Sequence, residues 1–124
     1  MAEEWHAPYE RLSRATITRH QALRSLMEEL EAIDWYRQRA DDCSDPGLKA
    51  ILLHNMREEI EHGMMVLEWL RRNDGDFADR MDLYLYAEGD ITEVEQNAEA
   101  GAPEGEKPPS PPSAGRRFTI GPLK

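Results

Sequence analysis

Residues 46–72 read PGLKAILLHNMREEIEHGMMVLEWLRR, a stretch with helix signals at both of its ends. Asp45 is a good helix N-cap, and Pro46 suits the first helical position, where no amide hydrogen is needed. Two arginines occupy the last turn, where positive charge is favourable, and Gly75 follows just beyond. We therefore predict a long helix from Pro46 to about Arg72.

The residues on either side predict further helices. Upstream, residues 13–39 contain no Gly or Pro and are rich in Leu, Glu, Arg and Ala, which favours a second long helix. The Asp-rich segment 41–46 is predicted to be a turn, so the two helices form an antiparallel hairpin. A shorter third helix is predicted over about 76–87, ended by Gly89, and no strand is indicated. The predicted fold class is all-α, an antiparallel helical hairpin plus a short third helix.

Composition and charge exclude several classes of function. The chain has 124 residues and a formal net charge of −10, whereas phosphate recognition by a nucleic-acid-binding protein needs a basic surface. No apolar run approaches the roughly 18 residues that span a bilayer, so no membrane segment is predicted. The first nine residues lack the basic start and apolar stretch of a secretory signal, and Cys43 is the single cysteine. Both features favour a cytoplasmic protein.

The net negative charge of the chain comes from its first 97 residues. Residues 1–97 carry a net charge of −11, whereas residues 98–124 carry +1 and hold six of the eight prolines. Such a proline-rich stretch cannot bury enough surface to offset its ordering entropy. We therefore predict four parts: a flexible N-terminus at 1–12, a helical hairpin domain at 13–97, a disordered Pro/Gly-rich linker at 98–115, and a C-terminal peptide at 116–124 that is apolar again.

The predicted hairpin carries more large apolar side chains than it can bury. Trp5, Trp35 and Trp69 are accompanied by four Tyr and six Met. Two long helices and a short one build only a small core, so an uncovered apolar face indicates self-association. A small, marginally stable three-helix monomer is the alternative.

Ionisable residues interrupt the apolar face of both long helices. Buried charges are costly unless they are paired or bind a metal, so Glu29, Glu59 and His62 need a shared partner. Residues three or four positions apart share one face of a helix. On the first helix this face contains Ala22, Leu26, Glu29, Ile33 and Tyr36, and on the second it contains Leu48, Leu52, Asn55, Glu59, His62, Val66 and Trp69.

Glu59 and His62 form a Glu-x-x-His motif whose two ends share one helix face. Four-helix di-iron proteins use two such motifs plus one Glu from each of two other helices. This chain supplies one motif and one upstream Glu, so two copies would supply a full site. Carboxylates with imidazole suit iron, manganese or zinc. The alternative is a solvated face for Glu58, Glu59 and Glu61 and a hydrogen-bonded core histidine for His62.

Three stretches of the chain resemble the encapsulated ferritins: MEELEAIDWY at 27–36, HNMREEIEH at 54–62 and EWLRRND at 68–74. The resemblance runs over about 16–92. It implies that each subunit is a helical hairpin with a short third helix, and that a ferritin-like four-helix bundle forms only on dimerisation. It also implies a di-iron ferroxidase centre at the subunit interface, a ring that is typically a decamer, and a location inside an encapsulin nanocompartment in the cytoplasm.

The resemblance also implies roles for individual residues. Glu29, Glu59 and His62 from both subunits correspond to the ligands of the di-iron centre. Glu28 and Glu31 match the family's outer metal-binding carboxylates on the route to the centre. The aromatic residues Trp35 and Tyr36 match residues beside it, Trp35 among the metal-binding set and Tyr36 among the catalytic one.

The C-terminal sequence FTIGPLK at 118–124 resembles the peptides that dock cargo to the inner wall of an encapsulin shell. The peptide 116–124 is therefore predicted to target encapsulin, with Pro122 as a departure from the expected pattern. Together these features predict a ferroxidase that oxidises Fe(II) with dioxygen and delivers iron for mineral storage in the shell. The alternatives are a di-metal site that holds zinc or manganese without redox chemistry, and a non-enzymatic helical cargo or adaptor protein.

Overall fold

Helices make up the regular structure of the computed structural model, which describes residues 4–101. A 3-10 turn at Tyr9–Arg11 precedes the helices α1 (Arg14–Asp42), α2 (Pro46–Asn73), α3 (Gly75–Tyr84) and α4 (Ile91–Gly101). Since none of the described residues forms a strand, the predicted all-α class is confirmed. The peptide 116–124 and most of the predicted linker lie outside the described residues.

Both long helices begin directly after a residue whose side chain caps them. The Ser13 hydroxyl accepts a hydrogen bond of 3.1 Å from the Thr16 amide, and an Asp45 carboxylate oxygen accepts one of 2.8 Å from the Leu48 amide. These bonds satisfy amides that have no partner within the helix. The helices α1 and α2 therefore start where they are predicted to start, and each runs slightly beyond its predicted end.

The packing line between α1 and α2 follows every seventh residue of α2. Met56, Gly63 and Leu70 are buried there, and α1 contributes the buried Ala40. Seven-residue spacing is typical of long helices that wrap around each other. The α2 positions that the spacing of three and four residues predicts for the packed face lie to one side of this line. One of them, Trp69, is exposed. Steps of three and four residues fit several neighbouring faces of a helix almost equally well, so this spacing alone does not identify the packed face.

The segment before α1, predicted to be flexible over 1–12, contacts α1 over its described part. The centroid of the Trp5 ring lies 4.4 Å from that of the His20 ring and 5.1 Å from that of the Tyr9 ring, which it meets edge to face. A Glu4 carboxylate oxygen lies 3.2 Å from His20 Nε2. Aromatic and charged contacts thus hold residues 4–12, which we call the N-terminal segment, on the first turns of α1.

The chain divides into two compact units after Phe77, and the second unit departs from prediction at two places. Helix α3 ends at Tyr84 instead of Ala87, because the chain turns through Tyr86 in the left-handed region (φ 65°). Helix α4 was not predicted and reaches Gly101, inside the predicted linker. Asp90 initiates it, since its carboxylate accepts a 3.0 Å hydrogen bond from the Thr92 amide. Among the described helices, none is both long and apolar enough to cross a membrane.

Candidate metal centre

Glu29, Glu59 and His62 converge midway along the hairpin. Helix α1 presents Glu29, and α2 presents the other two residues one turn apart. His62 Nδ1 lies 3.3 Å from Glu59 Oε1 and 3.8 Å from Glu29 Oε1. One potential ligand atom from each residue lies within 4.8 Å of the others, which is close enough for a shared cation. The antiparallel pairing thus brings together residues that are about thirty positions apart in the chain.

A buried glycine of α2 faces α1 beside this cluster. Gly63 is buried, and a Cβ atom placed on it would lie 3.7 Å from the Cβ of Glu29 and 3.7 Å from Leu26 Cδ1. The sequence reasoning missed Gly63. The sequence signal for it was a glycine inside a long helix, directly after His62. A glycine there lowers helix stability by up to about 1 kcal/mol relative to alanine.

The two carboxyl groups of the cluster shift each other's pKa in opposite directions. A hydrogen bond with Glu59, followed by burial and by the charge of Glu59, raises the pKa of Glu29 above its usual range. Hydrogen bonds from Glu29 and His62 lower the pKa of Glu59. Two carboxylates that face each other cannot both ionise at their ordinary pKa values, because their like charges repel. A divalent cation bound between them would relieve this repulsion.

The donor set is suited to a metal but is incomplete for one subunit. Two carboxylates and an imidazole are ligands that iron, manganese and zinc accept. The Glu29 and Glu59 side chains are 25% and 24% exposed, whereas that of His62 is 47% exposed. The cluster is therefore open on the His62 side. His62 is thus the most exposed of the three side chains, and Glu59 is half-buried.

The other predicted site residues lie outside the three-residue cluster. Glu28 is exposed and forms an ion pair of 3.6 Å with Arg24, and Glu31 is also exposed. Trp35 is exposed and Tyr36 is half-buried.

A cation–π contact was not predicted for these two rings. The Arg39 guanidinium lies 5.9 Å from the Trp35 ring centroid and 5.6 Å from that of Tyr36. Arg39 follows Trp35 by four residues and Tyr36 by three, and this spacing along one helix was the sequence signal for the contact.

A helical hairpin that presents two carboxylates and an imidazole from facing helices defines a protein of the ferritin-like class. The family model described as EncFtn-like matches residues 4–88 of the chain. The chain therefore belongs to the EncFtn-like family, and the resemblance to encapsulated ferritins is confirmed.

Known proteins agree with this assignment. The chain is 54% identical over 96 residues to an encapsulated ferritin-like protein of Rhodospirillum rubrum, a match that covers 77% of this chain and 69% of the relative. It is 40% identical over 102 residues to a ferritin-like protein of Thermotoga maritima, covering 82% and 90%. The crystal structure of protein ne0167 from Nitrosomonas europaea superimposes with a TM-score of 0.67 at 47% identity, covering 70% of this chain and 96% of that one.

Proposed function

We propose that the protein is a ferroxidase, which oxidises Fe(II) to Fe(III) with dioxygen at a di-iron centre shared by two subunits. The observation that carries the proposal is the convergence of Glu29, Glu59 and His62 within 4.8 Å on the open side of the hairpin. Membership of the EncFtn-like family supports iron as the metal.

A second copy of the chain completes both the core and the site in this proposal. Apolar side chains that flank the cluster are exposed, among them Leu30 at 51% and Met65 at 60%. A second hairpin would cover such a surface and bring a second set of two carboxylates and one imidazole. Dimers of this kind would then assemble into a ring, which we expect to be a decamer.

The ligands account for the chemistry in simple electrostatic terms. Glu29 and Glu59 would hold the substrate Fe(II), and their negative charge would stabilise the higher charge of Fe(III). His62 adds a neutral donor and leaves room for dioxygen. Glu28 and Glu31 would guide Fe(II) inward, Trp35 and Tyr36 would lie beside the centre, and the acidic surface would raise the local cation concentration.

The decisive experiment adds Fe(II) without oxygen, then admits air and follows both Fe(III) absorbance and oxygen consumption. Glu29→Ala and His62→Ala should lower the initial rate to that of buffer. Glu61→Ala is the matched control, since it removes an exposed carboxylate of the same helix and should leave the rate unchanged. If His62→Ala oxidises iron as fast as wild type, the site assignment is wrong.

The same measurements separate the rival functions. A zinc or manganese site without redox chemistry would bind metal through the same residues but consume no oxygen. A non-enzymatic adaptor would tolerate Glu29→Ala and would even gain stability from it, because the variant removes a carboxyl pair that repels itself.

We further propose that the protein is cargo of an encapsulin shell, in which the oxidised iron is stored as mineral. The name of the Rhodospirillum rubrum relative, an encapsulated ferritin-like protein, supports this location. Residues 116–124 would dock in the shell, with many copies on one ring adding their affinities. Deletion of 116–124 should abolish co-purification with the shell protein and leave ferroxidase activity intact. Persistent co-purification would refute the targeting role.

A further inference from the structure

Arg24 lies between two carboxylates that come from different segments of the chain. Its Nε atom is 3.6 Å from an oxygen of Glu28, one turn further along α1, and 3.9 Å from an oxygen of Glu4 in the N-terminal segment. Both distances involve the same nitrogen, so one guanidinium group is shared by two anions. A shift of Arg24 towards one carboxylate therefore weakens its hold on the other.

Glu4 is held in place by contacts that do not depend on Arg24. Its other carboxylate oxygen lies 3.2 Å from His20 Nε2, and the neighbouring Trp5 ring lies 4.4 Å from the His20 ring. His20, Arg24 and Glu28 follow one another at four-residue intervals and so share one face of α1. The N-terminal segment is thus anchored one turn before Arg24 and draws the guanidinium in the direction away from Glu28.

We propose that Arg24 is a positioning residue that sets how strongly Glu28 attracts Fe(II), and that Glu4 relieves its effect. The inference rests on the proposed function, in which Glu28 is an outer carboxylate on the route to the centre. A guanidinium paired with Glu28 alone neutralises the carboxylate and occupies its oxygen, so an arriving cation must displace it. When Arg24 is shared with Glu4, more of the Glu28 charge is available to the metal.

The expected effect is small, because the Arg24 and Glu28 side chains are 46% and 65% exposed and water screens their charges. An exposed pair of this kind changes an equilibrium by about two- to threefold. Arg24→Gln should therefore lower the half-saturating Fe(II) concentration by about two- to threefold, without a change in the maximal rate. Glu4→Gln should raise it by about twofold.

The test is a double-mutant cycle on the full-length chain. Half-saturation by Fe(II) is measured together with Co(II) binding by titration calorimetry, which does not depend on turnover. Because Glu4 acts through Arg24, the variant that combines Glu4→Gln with Arg24→Gln should match Arg24→Gln alone. Glu10→Gln and Arg14→Gln are the matched controls, since they remove the same charges from exposed positions of the same two segments.

Two results would overturn the inference: unchanged Co(II) affinity in Arg24→Gln, or an equal loss from Glu4→Gln with and without Arg24. The second result would mean that the N-terminal segment only stabilises α1. Glu28→Gln provides a further check, since it should abolish the effect of Arg24→Gln. Failure of the proposed function is distinguishable, because wild-type protein would then consume no oxygen with Fe(II) while Co(II) binding could still be compared.

Discussion

At Glu29 the needs of stability and of metal binding oppose each other. The residue lies against α2, where an apolar side chain would pack at no electrostatic cost, yet it faces Glu59 and keeps its pKa raised through that contact. Proteins commonly retain such unfavourable groups where a ligand uses them. We assign the metal to the space between Glu29 and Glu59, where a cation would relieve this cost.

Gly63 provides a prediction at the scale of a single residue. Because an added Cβ would lie 3.7 Å from its nearest neighbours, an ordinary contact distance, Gly63→Ala should fit without moving α1. It should raise the free energy of unfolding by about 0.5–1 kcal/mol through reduced flexibility of the unfolded chain, as measured by urea denaturation. Gly63→Leu is the contrast: it should push Glu29 away from Glu59 and weaken Co(II) binding. A destabilised Gly63→Ala variant would contradict this account of the packing.

At the scale of an element, the last turn of α2 is stabilised by its own charges. The Glu68 carboxylate accepts hydrogen bonds of 2.8 Å from Arg71 Nε and Nη2 and one of 2.7 Å from Arg72 Nε. These bonds, first of all the one with Arg71, lower the pKa of Glu68 to about 2. The arginines also lie at the end of the helix where positive charge is favoured.

The lowered pKa predicts a specific pH dependence of stability. Glu68 contributes fully above its usual pKa of 4.5, and the contribution is lost as the pH falls through about 2. Since the Glu68 side chain is 41% exposed, solvent screening limits the contribution to about 0.5–1 kcal/mol. Glu68→Gln should lose this amount at pH 7 and little at pH 2 in urea denaturation. Glu61→Gln, an exposed carboxylate on the same helix, should show no such difference; equal losses for both variants would contradict the prediction.

At the scale of the whole molecule, the exposed apolar surface around the candidate metal centre predicts self-association. Met65→Glu places a charge on this surface and should shift the native mass towards the monomer. Because the proposed site takes ligands from two copies, Co(II) binding should also weaken, by about tenfold, although all three ligands remain. Native mass spectrometry with and without Co(II) measures both effects.

The control for this prediction is Ile91→Glu, which charges an apolar side chain that is also exposed but belongs to the second unit. Ile91→Glu should change neither the native mass of the oligomer nor the affinity for Co(II). An oligomer that survives Met65→Glu would mean that copies meet on another surface. A monomeric variant with unchanged Co(II) affinity would show that one chain is sufficient for the site.

The two long helices and the residues of the cluster could be predicted from local sequence patterns. The capping signal at Asp45 and the absence of Gly and Pro after Ser13 act over a few residues and therefore indicate helix starts locally. The Glu-x-x-His spacing places Glu59 and His62 on one face of α2 for the same reason. Helix α4 was missed although Asp90 is a comparable cap, because its short apolar pattern adjoins a proline-rich tail.

How these elements meet depends on long-range packing that local patterns do not encode. The packing line through Met56, Gly63 and Leu70 depends on how α1 and α2 cross, and a helical repeat allows several neighbouring faces. The contact of Glu4 with Arg24 joins residues twenty positions apart, so no local pattern encodes it. Local rules thus set which side chains a helix offers, whereas contacts between distant segments depend on packing that involves the whole hairpin.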